Sequence, residues 1–360
     1  MLRTFKYRIY PTKQQLENIE HTLYLCRYLY NNALEQRIVT YKKHKKSITY
    51  NMQQNELPKV KQVLPEYKGI HSQVLQDVLK RLDRSFQNFF RRVKLNESKV
   101  GFPRFQGRNR YNSFTYPQSG FSIKDDKLRL SKIGNVRINL HRKLVGELKT
   151  CTIVRKNGKY YVALVCEVEN PQVTLTNKAV GIDLGVSHLA ITSDGDFFDN
   201  PKHLRKSEKQ LKRLQRIVSK RKKGSSRRRK AIQLLARKHE QIANQRKDTN
   251  HKVSRQLVDA YDLIVFEDLN IKGMVKNKHL AKSIHEVSWN QLINFTTYKA
   301  ENAGKEVKLV NPHNTSQECS NCGEIVKKTL AEREHICSCG YIADRDINAS
   351  INILNRGLSA

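Results

Sequence analysis

The chain has 360 residues, 38% of them hydrophobic, with 68 Lys and Arg against 33 Asp and Glu for a formal charge of +35. That length and apolar content suit two or three domains with real cores and exclude a disordered basic tail. So large a surplus points to a polyanion, nucleic acid by default, and no apolar run nears the ~18 residues of a membrane span.

The opening Met1-Leu-Arg-Thr-Phe-Lys lacks the apolar stretch of a signal peptide, so the chain is read as intracellular, with no membrane partner. Residues 2 to 9 alternate apolar and basic, predicting a half-buried strand that ends at Pro11 and has no partner nearby. From Thr12 the pattern turns helical, with Leu16, Ile19, Leu23 and Cys26 on a stripe continued by Leu29, Ala33 and Ile38. A second helix starts near Ser72 and places Val74, Leu75, Val78, Leu82 and Phe86 on one face. After Gly101-Phe-Pro-Arg-Phe the period falls to two, through Ser113-Phe-Thr-Tyr, Phe121-Ser-Ile, Leu128-Arg-Leu, Val136-Arg-Ile, Cys151-Thr-Ile-Val and Lys159-Tyr-Tyr-Val. These read as a small antiparallel barrel, which the orphan first strand joins if the helical block is an insertion.

Lys178-Ala-Val-Gly-Ile-Asp183 begins a second regime, with His188-Leu-Ala-Ile-Thr as its hairpin partner. Two basic helices follow, carrying Leu211, Leu214 and Val218, then Ile232, Leu235 and Ile242, around a turn at Gly224; a third helix reaches Tyr261. Arg205 to Arg255 holds 20 basic and 3 acidic residues, an electrostatic footprint in which acids at helical spacing are nearly absent. Asp262-Leu-Ile-Val-Phe-Glu267 reads as a short buried strand, and the mixture of elements is α/β.

Near the C-terminus, Cys319, Cys322, Cys337 and Cys339 form a C-x2-C-x14-C-x-C array, close to the spacing that gathers four thiolates around zinc. The short second pair requires a tight turn at Ser338 and Gly340. Cys26, Cys151 and Cys166 are scattered and read as buried small hydrophobes in a reducing compartment.

Three carboxylates stand where a charge is unfavourable: Asp183 on a core strand, Glu267 at the end of an apolar one, and Asp346 at the start of a helix. Individually they could be a turn residue, an edge charge and a helix-dipole acid. Converging, they would supply hard oxygen ligands for two Mg2+ ions and hence for phosphodiester hydrolysis.

Together, Asn31-Asn-Ala, Val100-Gly-Phe-Pro-Arg-Phe, Gly181-Ile-Asp-Leu-Gly, Lys222-Lys-Gly-Ser, Phe266-Glu-Asp-Leu, Asn314-Thr-Ser-Gln-Glu-Cys-Ser-Asn-Cys-Gly and Asp344-Arg-Asp-Ile-Asn-Ala make the chain resemble the TnpB family over nearly its whole length. This resemblance implies a transposon-encoded, RNA-guided DNA endonuclease, prokaryotic, cytoplasmic and nucleoid-associated. Its partners would be a guide RNA from the element's end and double-stranded target DNA carrying a short adjacent motif. The implied fold is multidomain α+β: a wedge-type β-barrel (1–11 and 96–176) holding a helical recognition insert (12–95), then an RNase H-like, RuvC-type domain (177–312 and 341–360) with an inserted zinc ribbon (313–340). By this likeness the family's catalytic, magnesium-binding triad falls on Asp183, Glu267 and Asp346. Asp344 rivals Asp346, which is preferred because the Asp-x-Asn-Ala pattern starts there. By the same resemblance the zinc would be structural and the ribbon would contact the target strand.

Candidate base-reading residues are Tyr50, Gln73, Gln76, Thr115 and Tyr116, since Gln can pair with adenine and Thr can touch a thymine methyl; the two glutamines could equally be solvated helix residues. Lys222, Lys223, Arg227, Arg228 and Arg229 are candidates for phosphate contacts. Phe102 and Phe105 could stack on bases, although packing under the barrel is the preferred reading. Rival functions are a nuclease-inactive RNA-guided repressor, which would be expected to lose triad acids, a metal-dependent DNA transposase, and a zinc-ribbon RNA-binding protein without catalysis.

Overall fold

A computed structural model describes residues 1–108, 110–169, 175–329 and 332–359. The chain divides into two compact units, Met1–Glu169 and Asn170–Ala360. Residues 170–174, which the barrel assignment includes, lie outside the described residues.

The first unit runs β1 (Leu2–Tyr10), α1 (Lys13–His44), α2 (Tyr50–Val63), a 3-10 turn (Pro65–Gly69), α3 (Ser72–Lys94), β2 (Ser113–Tyr116), β3 (Phe121–Lys124), β4 (Lys127–Leu130), β5 (Gly134–Asn139), β6 (Glu147–Lys156) and β7 (Lys159–Glu167). Thr12 caps α1 in a reciprocal box with Gln15, which fixes the strand-to-helix switch at the residue where the hydrophobic period changes. The orphan strand finds its partners: β1 lies between β5 and β7 in an antiparallel sheet ordered β2-β6-β7-β1-β5-β4-β3. β2 and β3 are consecutive in sequence but occupy opposite edges. A flat ladder of this order would separate them by about 29 Å at ~4.8 Å per strand, whereas Pro117–Gly120 can bridge only about 17 Å. The sheet therefore rolls up. Its edges are not bonded into one ladder; Tyr116 bridges the seam instead, its ring 6.2 Å from Phe121. Helices and sheet share one apolar core, so the helical block packs on the strands that flank it in sequence.

The second unit runs β8 (Ala179–Asp183), β9 (His188–Thr192), β10 (Phe197–Asp199), α4 (His203–Lys220), α5 (Ser226–Ala260), β11 (Leu263–Glu267), α6 (Ile271–Met274), α7 (Lys278–Val287), α8 (Trp289–Asn302), β12 (Glu306–Val310), β13 (Glu334–Ile336), β14 (Ile342–Asp344) and α9 (Arg345–Ser359). The second basic helix and the third helix of the sequence reading are one 35-residue helix, α5, because no Gly or Pro interrupts it. The five-stranded sheet is ordered β10-β9-β8-β11-β12, with β8, β11 and β12 parallel. Alternation sends Val180, Ile182, Ile264 and Phe266 into a core with Val253 and Leu257 of α5 and Leu292 of α8. The other face meets α9, through Val265 and Ile353. Gly181 makes that approach possible, since a Cβ there would lie 2.0 Å from the Ser350 carbonyl oxygen.

Candidate functional site: a carboxylate cluster beside a cysteine knuckle

β8 and β11 run parallel with Ile182 opposite Phe266, so the next residues, Asp183 and Glu267, leave the strand ends side by side. Parity puts both on the face that Gly181 and Val265 present to α9, about 5 Å apart at Cβ. Carboxyl ends of parallel strands are the usual place for a site in such sheets, because the chain must turn away there and leave a crevice. Asp346 arrives from the first turn of α9. Its charge and that of Glu267 reach Asp183: burial first, then these two neighbours, push the Asp183 carboxyl up to about 8. Arg345 and the Leu184 N–H pull the other way. Burial also raises Glu267, against the hydrogen bond that its carboxylate accepts from the Thr315 hydroxyl and the charge of Arg356.

The two aspartates at the start of α9 have different partners. Asp344 Oδ1 accepts from the N–H groups of Asp346 and Ile347 at 2.8 and 3.2 Å, capping the helix. Asp346 instead holds Arg345, through Nε and Nη2 at 3.0 Å each, with Arg333 3.7 Å away. Two guanidinium groups thus gather around Asp346. Among the described residues only the four cysteines already bring their ligand atoms together; the carboxylates of Asp183, Glu267 and Asp346 offer oxygen donors alone, the kind a hard divalent cation takes.

The four cysteines converge. Cys319 and Cys339 Sγ atoms are 3.8 Å apart and those of Cys322 and Cys337 3.6 Å, and all four lie within 4.8 Å of one another. A Zn–S length of about 2.3 Å requires tetrahedral edges of about 3.8 Å, so the cluster fits zinc. Left-handed Gly323 and Gly340 turn the two knuckles, and β13 pairs with β14 behind the second. The short Cys-x-Cys pair is accommodated by Gly340 N–H donating back to the Cys337 carbonyl.

Side chains that sequence reasoning left without a role join this knuckle to the carboxylates. Asn348 is fully buried, accepting from Ser320 N–H at 2.9 Å and donating to the Glu318 carbonyl at 2.8 Å. Asn352 donates to the carbonyls of Thr315 and Glu318, and Thr315 in turn holds Glu267. The Asn of Asp-x-Asn-Ala is therefore the tie between α9 and the first cysteine pair. Its signal in the sequence is a pair of asparagines four residues apart, Asn348 and Asn352, on the buried face of α9.

The remaining candidates are dispersed. Lys222, Lys223, Arg227 and Arg229 are exposed around the α4–α5 turn, but Arg228 donates to the carbonyls of Val218 and Arg221 at 3.0 Å and so staples the turn. Gln73 accepts from Ser119, and Gln76 is half-buried on α3. Thr115 is engaged with Arg81 and Thr152. Tyr116 corrects the sequence expectation: it is buried in the sheet seam with its hydroxyl on the Ser131 carbonyl and does not present to a base edge. Tyr50 opens α2 beside a cavity. Phe102 and Phe105 are exposed, not packed under the sheet.

Fold and site together define a two-unit α+β protein with two carboxylates at adjacent strand ends and a knuckle of four converged cysteines. Three family models match it: "Probable transposase" over residues 163–278, "Cas12f1-like, TNB domain" over 289–353 and "Helix-turn-helix domain" over 1–46. In the last stretch the structure has β1 and the single helix α1. A "Putative RNA-guided DNA endonuclease" of Streptomyces pristinaespiralis is 35% identical over 99% of this chain and 90% of its own length. The "Putative RNA-guided DNA endonuclease InsQ" of Escherichia coli is 32% identical over 99% and 92%. The chain belongs to the TnpB family. A solved "mini-RNA-guided endonuclease CRISPR-Cas_phi3" matches at a TM-score of 0.49 with 10% identity, covering 99% of this chain and 92% of that one.

Proposed function

We propose that this protein is a transposon-associated RNA-guided DNA endonuclease whose active site is the cluster of Asp183, Glu267 and Asp346. What supports the reading is that Asp183 and Glu267 end adjacent parallel strands and that Asp346, on α9, lies near enough for its charge to raise the Asp183 carboxyl, in a chain so similar to proteins named for that activity. Asp183 and Glu267 would offer oxygens side by side, Thr315 would hold Glu267 in place, and Asp346 would complete the set while Asp344 stays committed to capping α9. A pair of Mg2+ ions held there would activate water and ease departure of the leaving oxygen in phosphodiester hydrolysis. Zinc on the four cysteines would be structural, since no coordination position remains open for chemistry. The rolled sheet of the first unit would serve as the wedge-type barrel, the helices of 12–95 as the recognition insert, and the second unit as the RuvC-like domain with its zinc ribbon. Guide RNA and double-stranded DNA are the partners this assigns, with exposed Lys222, Lys223, Arg227 and Arg229 gripping phosphates.

The test is Mg2+-dependent cleavage of a plasmid library with a randomised target-flanking sequence, using protein co-purified with RNA from its native locus. Guide-directed cuts that vanish in Asp183→Ala, with RNA binding kept, are expected. Tight guided binding without cleavage in the wild type would instead indicate a repressor. The "Probable transposase" description of the family model favours strand transfer as a second reading; cleavage without any guide RNA would support it.

A further inference from the structure

In the first unit, the ends of α1 and α3, the start of α2 and Phe102 enclose a cavity of about 1070 Å3. Its wall is aromatic. Phe102 meets Phe86 and Phe89 edge-on, with ring centroids 5.5 and 5.2 Å apart, and Phe89 meets Phe90 at 5.1 Å. Yet Phe90 is 59% exposed, Tyr41 55% and Phe102 46%, which core packing does not require. The cavity is also lined by Arg37, Lys42 and Lys45. Arg37 is 8% exposed, pairs with Asp83 at 3.0 Å and stands 5.1 Å over the Phe86 ring, while its Nη2 has no hydrogen-bond partner. Asp83, the single acid among the described lining residues, already accepts from Arg37 and Gln87.

An aromatic wall with a cationic rim suits a ligand that is both flat and anionic. Bases stack on aromatic rings while their phosphates meet lysines. A second copy of the chain would bring +35 against +35, so self-association is disfavoured by charge. Bases inside a duplex have no free faces, whereas folded RNA offers unstacked bases in its loops and bulges. We propose that this cavity binds unstacked bases from the non-duplex part of the guide RNA. The inference rests on the RNA-guided reading above and assigns that partner a docking place in the helical block.

The test compares the full chain with its Tyr41→Ala/Phe90→Ala variant, two residues more than half exposed, for binding to RNA transcribed from its native locus. A lost stacking contact should raise Kd roughly 5- to 100-fold while leaving the slope of log K against log salt unchanged, because no phosphate contact is removed. Photo-crosslinking of 4-thiouridine-substituted RNA should map to the cavity wall. A Lys42→Ala/Lys45→Ala variant should lower the slope by about 1.4, at ~0.7 per phosphate contact on a single strand. Tight RNA binding unaffected by Tyr41→Ala/Phe90→Ala would overturn the assignment, as would a change confined to self-association in sedimentation. Failure of the wild type to bind RNA would instead remove the guide reading, and this inference with it.

Discussion

Asp183 is a carboxylate whose surroundings oppose its charge, through burial and then through Glu267 and Asp346. At pH 8.5 in metal-free buffer, Asp183→Asn should therefore raise Tm by a few degrees, on the order of 1–2 kcal/mol, by removing like-charge repulsion. If the proposed site holds, Mg2+ should raise the Tm of the wild type and not that of this variant; a lower metal-free Tm, or an Mg2+ response that survives the substitution, would count against a metal site. Lys299 supplies an independent pH signature. Burial, then Arg255, lowers its ammonium from 10.5 to about 8, while Nζ donates to the His251 carbonyl and Ser254 Oγ. Between pH 8 and 10.5 the unfolded chain keeps a proton that the folded chain has released, so stability relative to Lys299→Met should rise with pH across that window. Chemical denaturation of both proteins at several pH values checks the sign, and a flat or falling difference would refute it.

At the scale of elements, α9 connects the sheet, the knuckle and the third carboxylate. Gly181→Ala would drive a methyl into the Ser350 carbonyl and lift α9 from β8. A loss of about 1–3 kcal/mol in stability is expected, with cleavage falling further than stability explains because Asp346 moves with the helix. Denaturation and cleavage measured on one preparation separate the two effects. Removal of zinc from the cysteine knuckle should act on the same helix from the other side, through Ser320 and Asn348. Metal analysis should find one zinc per chain, and Cys337→Ser or chelation should weaken target-DNA binding while sparing RNA binding. Unchanged DNA binding after verified zinc loss would dismiss the positional role. Elements also mark where periodicity misleads: α2 escapes the sequence reading because Pro58 and a run of amides obscure its pattern, and only its packing identifies it.

Over the whole molecule, the +35 surplus is a field more than a set of contacts. Replacing Lys222, Lys223, Arg227 and Arg229 by Gln should weaken nucleic-acid binding without changing sequence preference, and flatten the salt dependence by roughly 2–4 in slope. Filter binding at several salt concentrations reads this directly; an unchanged slope would show that these side chains face only solvent. Arg228 is excluded from the set because its guanidinium holds the α4–α5 turn.

What the sequence determines alone is whatever depends on local spacing. The Thr12 cap, the two-residue period of the strands, the cysteine array and the acids at strand and helix ends are legible because each is encoded within a few residues of itself. The tertiary structure decides what depends on distant partners: β1 pairing with β5 and β7, the fusion of two apparent helices into α5, Tyr116 entering the seam and Asn348 joining knuckle to helix. The physical reason is that hydrophobic burial is non-directional and fixes which face turns inward, while hydrogen bonds and charge determine what that face meets once the chain has closed on itself. Asp346 and Asp344 illustrate the division. Both are visible as acids at a helix start, and only the helix in place shows one capping the backbone and the other turned toward its charged neighbours.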